Sequence, residues 1–176
     1  MNKIAFVGKS AVGKNHFLDM FTTLGYRPAV GHTSRTPRAG EVEGKDYYFV
    51  SKEEFADMIL KDSFVQFMQF QGEYYGTTFN EFDKCDFFIT SPTGLENIPD
   101  NLRSEITIAE LVCDKSITAL RRQIRDGSSD MDLLSRDAND DELFEDFDRK
   151  MKDLGYNHVK INTATTLEEV ASYSLS

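Results

Sequence analysis

A glycine-rich stretch near the start of the chain has the residue types needed to hold a phosphate group. Residues 8–15 read GKSAVGKN, which matches the pattern G-x-x-x-x-G-K-[ST] except at its last position. Glycines let the backbone curl so that N–H groups point at phosphate oxygens, and the lysine reaches the terminal phosphates of a nucleoside triphosphate. The alternative is a simple glycine turn. We predict an ATP site formed by Gly8, Lys9, Ser10, Ala11, Val12, Gly13, Lys14 and Asn15, with Lys14 also catalytic.

The departure from this pattern is Asn15, which stands where a serine or threonine hydroxyl normally ligates Mg²⁺. An amide oxygen is also a hard ligand, and Mg²⁺ accepts water and phosphate oxygens as most of its ligands. We therefore expect Mg²⁺ as the cofactor, bound together with ATP, and Asn15 as the candidate protein ligand.

A second group of residues could bind a phosphate monoester. Arg35 and Arg38 have planar guanidinium groups that bind phosphate oxygens in pairs, and Tyr47 and Tyr75 offer hydroxyl groups. They lie in two stretches, HTSRTPRAGEVEGKDYYFVSKEEF (32–55) and EYYGTT (73–78). Taken alone, two arginines in a loop would also fit a solvated surface.

These two stretches together resemble the monophosphate-binding segment of guanylate kinases. The family pattern is close to T-T-R-x-P-R-x-G-E-x-x-G-x-D-Y-x-F-V-S-x-x-E-F, followed by Y-Y-G-[ST], and the first stretch departs from it only at Ser34. The resemblance covers most of the chain, more weakly after residue 80. It implies that the acceptor monophosphate is bound by Arg35, Arg38, Glu41, Tyr47, Gln66, Tyr75 and Thr77.

The resemblance also implies a lid that carries catalytic arginines. LRRQIRDGSSDMDLLSR (120–136) is similar to the family's R-x-x-R-G followed by a later arginine, with one residue inserted before Gly127. Arg122, Arg125 and Arg136 are the matching candidates, which would neutralise charge on the transferring phosphoryl group. A basic helix face is the alternative. Asn162 matches a family asparagine near the donor adenine.

The departures from the family pattern concern recognition of the base. Gln66 replaces a glutamate that reads guanine, Gly31 replaces a serine near guanine O6, and Ile89 and Ser91 replace strand aspartates. The phosphate-binding groups are kept, so the resemblance implies an active nucleoside monophosphate kinase, with GMP or dGMP the leading acceptor. The alternatives are AMP, dTMP or another monophosphate, a non-catalytic binding module, and a different small-metabolite kinase.

The elements around these motifs alternate between apolar strands and helices, which indicates an α/β fold with a parallel sheet. Strands are predicted at 3–7, 47–50, 63–70, 85–90, 106–113 and 158–162, with a turn and short strand at 72–78. Helices are predicted over 15–24, after the capping pair Ser51 and Glu54, over 116–126, over about 135–153 and after Thr166. The acidic run 137–148 is interpreted as a solvated helix face.

The resemblance refines this into a P-loop NTPase-type parallel sheet flanked by helices, with an inserted monophosphate-binding subdomain and a helical lid. The chain is predicted to be one guanylate-kinase-like domain over 1–176. Its core would comprise 1–30, 85–120 and 138–176, its monophosphate-binding segment 31–84, and its lid 121–137.

Composition limits the partners. The 176 residues carry a formal net charge of −10, which disfavours nucleic acid as a ligand. No apolar run approaches the roughly 18 residues of a membrane span, and the two cysteines are interpreted as reduced core thiols. We expect a cytoplasmic protein without membrane contact, monomeric or homodimeric, that binds ATP and a nucleoside monophosphate.

Overall fold

A four-stranded parallel sheet forms the centre of the computed structural model, which describes residues 2–126 and 138–163. Its spatial order is β6-β1-β7-β8. These strands are β1 (Lys3–Gly8), β6 (Phe87–Ile89), β7 (Ile106–Val112) and β8 (Asn157–Asn162). The predicted parallel α/β sheet is therefore confirmed, and the carboxyl end of β1 lies between two neighbouring strands.

The central strands are apolar on both faces because helices cover both sides of the sheet. Ala5 and Val7 of β1 face one core cluster, whereas Phe6 faces a second cluster that contains Phe17 and Phe21. The helix carrying those two phenylalanines, α1 (Lys14–Thr23), follows β1 directly. Strand, glycine loop and helix are thus fixed to one another by packing.

A second sheet, of mixed orientation, is built from residues 31–78. Its order is β3-β2-β5-β4, in which β2 and β3 are parallel and the other neighbours antiparallel. The strands are β2 (Gly31–Thr33), β3 (Tyr47–Phe49), β4 (Phe64–Phe70) and β5 (Glu73–Thr78). Strand β2 was not predicted, because three residues in a polar stretch are too few to show an alternating pattern.

Helix α2 (Lys52–Leu60) covers this second sheet. The predicted capping box is confirmed: Ser51 Oγ accepts from the Glu54 amide, and the Ser51 amide donates to the Glu54 carboxylate. Fully buried Phe55 stacks on Phe64 with ring centroids 4.5 Å apart, and on Tyr74 at 5.4 Å. This aromatic stack anchors the helix to β4 and β5.

The remaining helices connect and cover the two sheets. They are α3 (Phe79–Lys84), α4 (Pro92–Glu96), α5 (Asp100–Arg103), α6 (Lys115–Asp126), α7 (138–143) and α8 (Phe147–Asp153). Both cysteines are free thiols. Among the described residues, no helix is long and apolar enough to span a membrane. The helix predicted after Thr166 lies outside the described residues.

The prediction of one continuous helix over 135–153 is wrong. Residues 144–146 form a turn, and Asp146 has a left-handed backbone with φ 54°. The turn separates two helices with different neighbours. Phe147 and Met151 of α8 are buried in the core. Asp140 and Asp141 of α7 contact the glycine loop. A straight helix could not direct both sets of side chains to their neighbours.

Candidate functional site

The glycine loop joins the carboxyl end of β1 to the start of α1. Lys14 Nζ donates to the carbonyl oxygens of Gly8 at 2.6 Å and Lys9 at 3.0 Å, so its side chain folds back across the loop. Gly8 lies so close to β7 that an added Cβ would sit 2.6 Å from the Leu111 carbonyl oxygen. The loop therefore has the strand–loop–helix setting that phosphate binding requires.

Two aspartates of α7 lie against this loop. The Ser10 amide donates to Asp140 Oδ2 at 2.8 Å, and Asp141 forms ion pairs with Lys9 and, at 2.9 Å, with Lys115. Hydrogen bonds from the two lysines lower the pKa of Asp141 to about 2. The acidic run is thus more than a solvated face, and its contacts with the loop were missed because they join residues about 130 positions apart.

Arg35 is held by a carboxylate in the second sheet region. Its Nη1 and Nη2 atoms donate to the two oxygens of Glu41, each at 2.9 Å. This pairing raises the pKa of Arg35 and lowers the pKa of Glu41, so both stay charged. Thr33 Oγ1 accepts from the Arg35 amide at 3.2 Å, and its own hydroxyl donates to the Tyr74 carbonyl, which ties the arginine loop to β5.

Two tyrosines that were predicted to bind the acceptor phosphate, Tyr47 and Tyr75, lie near this arginine. The guanidinium carbon of Arg35 lies 5.6 Å from the Tyr47 ring centroid, and the Tyr47 and Tyr75 rings meet edge to face at 6.2 Å. Burial raises the pKa of Tyr47, which keeps its hydroxyl protonated as a hydrogen-bond donor. Arg38 is exposed, and its guanidinium has no ion-pair partner in the described part of the chain.

One cleft of about 390 Å³ extends from the glycine loop to these predicted phosphate-binding side chains. Eight of the predicted site residues line it, from both sheets: Gly8, Ser10, Lys14, Arg38, Tyr47, Gln66, Tyr75 and Thr77. The other described candidates are not part of the lining: Lys9, Ala11, Val12, Gly13, Asn15, Arg35, Glu41 and Asn162. Asn15 and Asn162 are both exposed, the latter at the carboxyl end of β8.

The lid arginines are only partly described. Arg122 and Arg125 lie within helix α6, and Arg136 lies outside the described residues. The neighbouring Arg121, which was not among the predicted site residues, donates from Nη1 to the Val12 carbonyl oxygen at 3.0 Å. It therefore connects α6 to the glycine loop. The run of basic residues in 121–125 was a signal, but helical phase decides which of them faces the loop.

The described residues contain one cluster of three side chains whose ligand atoms lie close enough together to share a metal ion. Glu110, Asp148 and His158 are clustered, and Lys160 Nζ already pairs with Asp148 at 2.7 Å and Glu110 at 3.6 Å. Ile89 and Ser91 offer no carboxylate to the cleft, which is lined by Asp46 and Asp140, and Asn15 offers an amide oxygen from an exposed position at the start of α1. This donor set fits a Mg²⁺ ion bound chiefly by phosphate and water oxygens.

Comparison with known proteins gives consistent matches. The guanylate kinase family matches residues 1–86. The chain is 35% identical over 139 residues to the guanylate kinase of Geobacter metallireducens, covering 73% of this chain and 64% of that protein. It is 47% identical over 72 residues to that of Schizosaccharomyces pombe, covering 41% of this chain and 35% of that protein. The chain thus spans less than two thirds of the length of these relatives.

The fold likeness extends further along the chain. The crystal structure of guanylate kinase from Anaplasma phagocytophilum superposes with a TM-score of 0.67, covering 98% of this chain and 81% of that one, at 20% identity. The described residues therefore have the P-loop NTPase fold of that structure, with a parallel sheet flanked by helices.

Proposed function

Residues 1–86 belong to the guanylate kinase family, and on that premise we propose that this chain is an ATP-dependent nucleoside monophosphate kinase. GMP or dGMP is the leading acceptor. The family match covers the glycine loop and the arginine–tyrosine segment, which are the two parts that must bind phosphate groups.

The observation that carries the proposal is the single cleft that both phosphate-binding groups line. Lys14 and Ser10 enter it from the loop of the parallel sheet, and Arg38, Tyr47 and Tyr75 enter it from the second sheet. A triphosphate on the loop would point its terminal phosphate toward a monophosphate on the arginine–tyrosine side. Proximity of this kind converts a two-substrate reaction into an effectively intramolecular one.

The chemistry needs positioning and charge neutralisation. An oxygen of the acceptor phosphate forms the new bond to the γ-phosphorus of ATP. The bond between that phosphorus and the β,γ-bridging oxygen breaks, and ADP leaves with the bridging oxygen. The acceptor oxygen is already anionic, so no general base is required. Lys14 would hold the β- and γ-phosphates, and the cationic side chains Arg35 and Arg38 would hold the acceptor phosphate.

We assign Asn15 as the protein contact for Mg²⁺, which when bound would neutralise phosphate charge. The remaining ligands would be phosphate and water oxygens. Asn162 is assigned to the adenine side, and Glu41 to the alignment of Arg35, through the two hydrogen bonds at 2.9 Å.

The proposed domain plan follows from these roles. The core comprises 1–30, 85–120 and 138–176, the monophosphate-binding segment 31–84, and the lid 121–137, within one domain. Arg122, Arg125 and Arg136 of the lid would reach the transferring phosphoryl group when the lid closes, which also excludes water.

The test is ADP release from ATP and Mg²⁺ with each of seven acceptors: GMP, dGMP, AMP, dAMP, UMP, CMP and dTMP. A reaction without any acceptor measures the background hydrolysis of ATP. We expect turnover with GMP or dGMP, its loss on chelation of Mg²⁺, and its loss in a Lys14→Met variant. Lys61→Met, an exposed lysine at the end of α2, is the matched control. ATP binding without turnover for every acceptor would contradict the proposal and favour the non-catalytic binding module.

A further inference from the structure

Two buried oxygen atoms in the cleft wall have no hydrogen-bond partner among the described residues. They are Gln66 Oε1 and Thr90 Oγ1, on residues that are 5% and 8% exposed. Both residues line the cleft. A buried polar atom without a partner destabilises the folded protein, so such atoms commonly mark a place where a ligand supplies the missing bond.

The orientation of Gln66 is set by an irregularity in the second sheet. Phe64 pairs with Thr78 but Gln66 pairs with Thr77, so Val65 is an extra residue that forms a bulge in β4. The bulge puts the buried side chains of Gln66 and Thr77 opposite each other, and Gln66 Nε2 donates to Thr77 Oγ1 at 3.0 Å. The amide nitrogen is thereby engaged, and Oε1 is left as the available acceptor.

Gly94 of α4 brings the two partnerless oxygens together. A Cβ at this glycine would lie 2.2 Å from Thr90 Oγ1 and 2.5 Å from Gln66 Oε1, so both atoms flank one point on the helix. Any larger residue would push the two side chains apart. The absence of a side chain at Gly94 is therefore what allows Gln66 Oε1 and Thr90 Oγ1 to lie against the same point of α4.

The three polar side chains have an ordered hydrogen-bonding pattern. Because Thr77 Oγ1 accepts from Gln66, its hydroxyl hydrogen is available to donate, while Gln66 Oε1 can only accept and Thr90 can accept. The order Thr77, Gln66, Thr90 is donor, acceptor, acceptor. The pairing edge of guanine has the complementary order, with O6 accepting and N1–H and the N2 amino group donating. Adenine presents an amino donor and then the N1 acceptor, and N1 would face the Gln66 Oε1 acceptor without a hydrogen bond.

We infer that Thr90 is a base-specificity residue of this site, which accepts a hydrogen bond from the guanine N2 amino group. Gln66 Oε1 accepts from N1–H, and Thr77 donates to O6. Gln66 and Thr90, both neutral, would then supply the two acceptor oxygens that a carboxylate supplies where the family pattern has glutamate at position 66. This inference rests on the proposed function, because it names the base that the monophosphate site selects.

Hypoxanthine isolates the contact, because it has guanine's O6 and N1–H but lacks the N2 amino group. We compare GMP and inosine monophosphate by kcat/KM, and by equilibrium binding without ATP. The wild-type chain is expected to prefer GMP. Thr90→Val, which keeps the shape and removes the hydroxyl, is expected to weaken GMP about tenfold and to leave inosine monophosphate unchanged.

Three controls make the result decisive. Thr90→Ser keeps a hydroxyl and should retain the preference for GMP. Thr93→Val removes an exposed hydroxyl on the adjoining helix α4 and should change the kcat/KM or affinity for neither substrate. Thermal unfolding of each variant establishes that it is folded. An equal loss for both substrates in Thr90→Val would overturn the inference, since Thr90 would then only position Gln66.

The outcomes also separate this inference from the proposed kinase activity. Binding that prefers GMP and loses that preference in Thr90→Val supports the inference even without turnover. Turnover with a preference for AMP, or no GMP binding to the wild-type chain, overturns it. Turnover with GMP that is insensitive to Thr90→Val leaves the kinase proposal standing and overturns the role of Thr90.

Discussion

The two arginines of the candidate phosphate site differ in what they contact. Arg35 is held by both oxygens of Glu41, whereas Arg38 has no ion-pair partner within the described ranges and lines the cleft. A preorganised guanidinium orients a phosphate with little further loss of side-chain freedom, and an uncommitted one can form new bonds to it. We therefore assign orientation of the acceptor phosphate chiefly to Arg35 and charge neutralisation chiefly to Arg38.

Arg38→Ala is expected to raise KM for the monophosphate about 10- to 100-fold, because it removes charge-assisted hydrogen bonds to the acceptor phosphate. KM for ATP should stay unchanged. Steady-state kinetics with each substrate varied separately measures both values. Arg27→Ala removes an exposed arginine away from the cleft and is the matched control. Equal effects on both substrates would argue against the assigned role.

At the scale of elements, α7 and the glycine loop form a contact that a nucleotide would have to replace. Asp140 accepts from the Ser10 amide, which is one of the N–H groups that the loop would offer to a phosphate. Asp141 meanwhile engages Lys9 and Lys115. The end of the broken acidic helix therefore competes with phosphate for the same donors and cations.

Asp140→Asn is expected to bind ATP about fivefold more tightly. The substitution removes one negative charge near the candidate phosphate site, whose repulsion of the phosphates costs roughly 1 kcal/mol. Titration calorimetry with ATP measures the change. Asp153→Asn makes the same charge change at an exposed position in α8 and should leave the affinity as it is. Weaker ATP binding in Asp140→Asn would show that Asp140 supports the loop's binding geometry.

The capping box of α2 supports the second sheet through Phe55. Ser51→Ala should lower the free energy of unfolding by about 1 kcal/mol, and lower Tm by about 2–4 °C for a chain of this size. The proposed kinase activity at 25 °C should be unaffected, because Ser51 is not part of the cleft lining. Thermal unfolding followed by circular dichroism tests this, with Ser104→Ala at an exposed position as control. An unchanged Tm would mean that the box contributes nothing to stability.

For the whole molecule, the distribution of charge matters more than its sum. The formal net charge is −10, and the described cleft is lined by the cations Lys14 and Arg38 together with the carboxylates Asp46 and Asp140. Cations focused in a cleft attract an anionic ligand locally, even when the rest of the surface repels it. The overall acidity therefore agrees with a small phosphorylated substrate and disfavours long nucleic acids.

Stability should depend on pH through His32, which is half-buried and packs against Tyr48 with ring centroids 4.7 Å apart and ring planes tilted by 35°. Burial lowers the pKa of His32, although Glu81 and Glu43 oppose this shift. The unfolded chain then binds the proton more readily, so stability is fully present above about pH 6.5 and decreases as the pH falls below it. The slope for one proton cannot exceed about 1.4 kcal/mol per pH unit.

Urea unfolding of the wild-type chain and of His32→Asn between pH 5.5 and 7.5 measures this contribution. The variant should show the smaller loss of stability on acidification. The carboxylates with lowered pKa values, Glu41, Glu54, Glu73 and Asp141, lose their contribution only at lower pH and so do not interfere. His16→Gln, an exposed histidine on α1, should behave as the wild type. Parallel curves for wild type and His32→Asn would contradict the prediction.

Local sequence determined the elements whose patterns are complete within a few residues. The strand KIAFV, the glycine loop and the helix after it were predictable because apolar spacing and glycine freedom act over short distances. The same holds for the capping box at Ser51. The order of residues around Arg35 and Tyr75 also indicated phosphate chemistry, because it matches a family pattern over many positions.

Tertiary structure alone decided which side chains meet. The bulge at Val65 pairs Gln66 with Thr77, and an unbroken register would have put Val65 there instead. The turn at Asp146 directs Asp140 to the loop, and α6 presents Arg121 to Val12. Such contacts depend on the packing of segments far apart in the chain, and a one-residue change in register redirects every side chain. The candidate phosphate-binding residues were therefore visible in the sequence, whereas the aspartates that contact the glycine loop and the side chains that line the cleft together were decided by the fold.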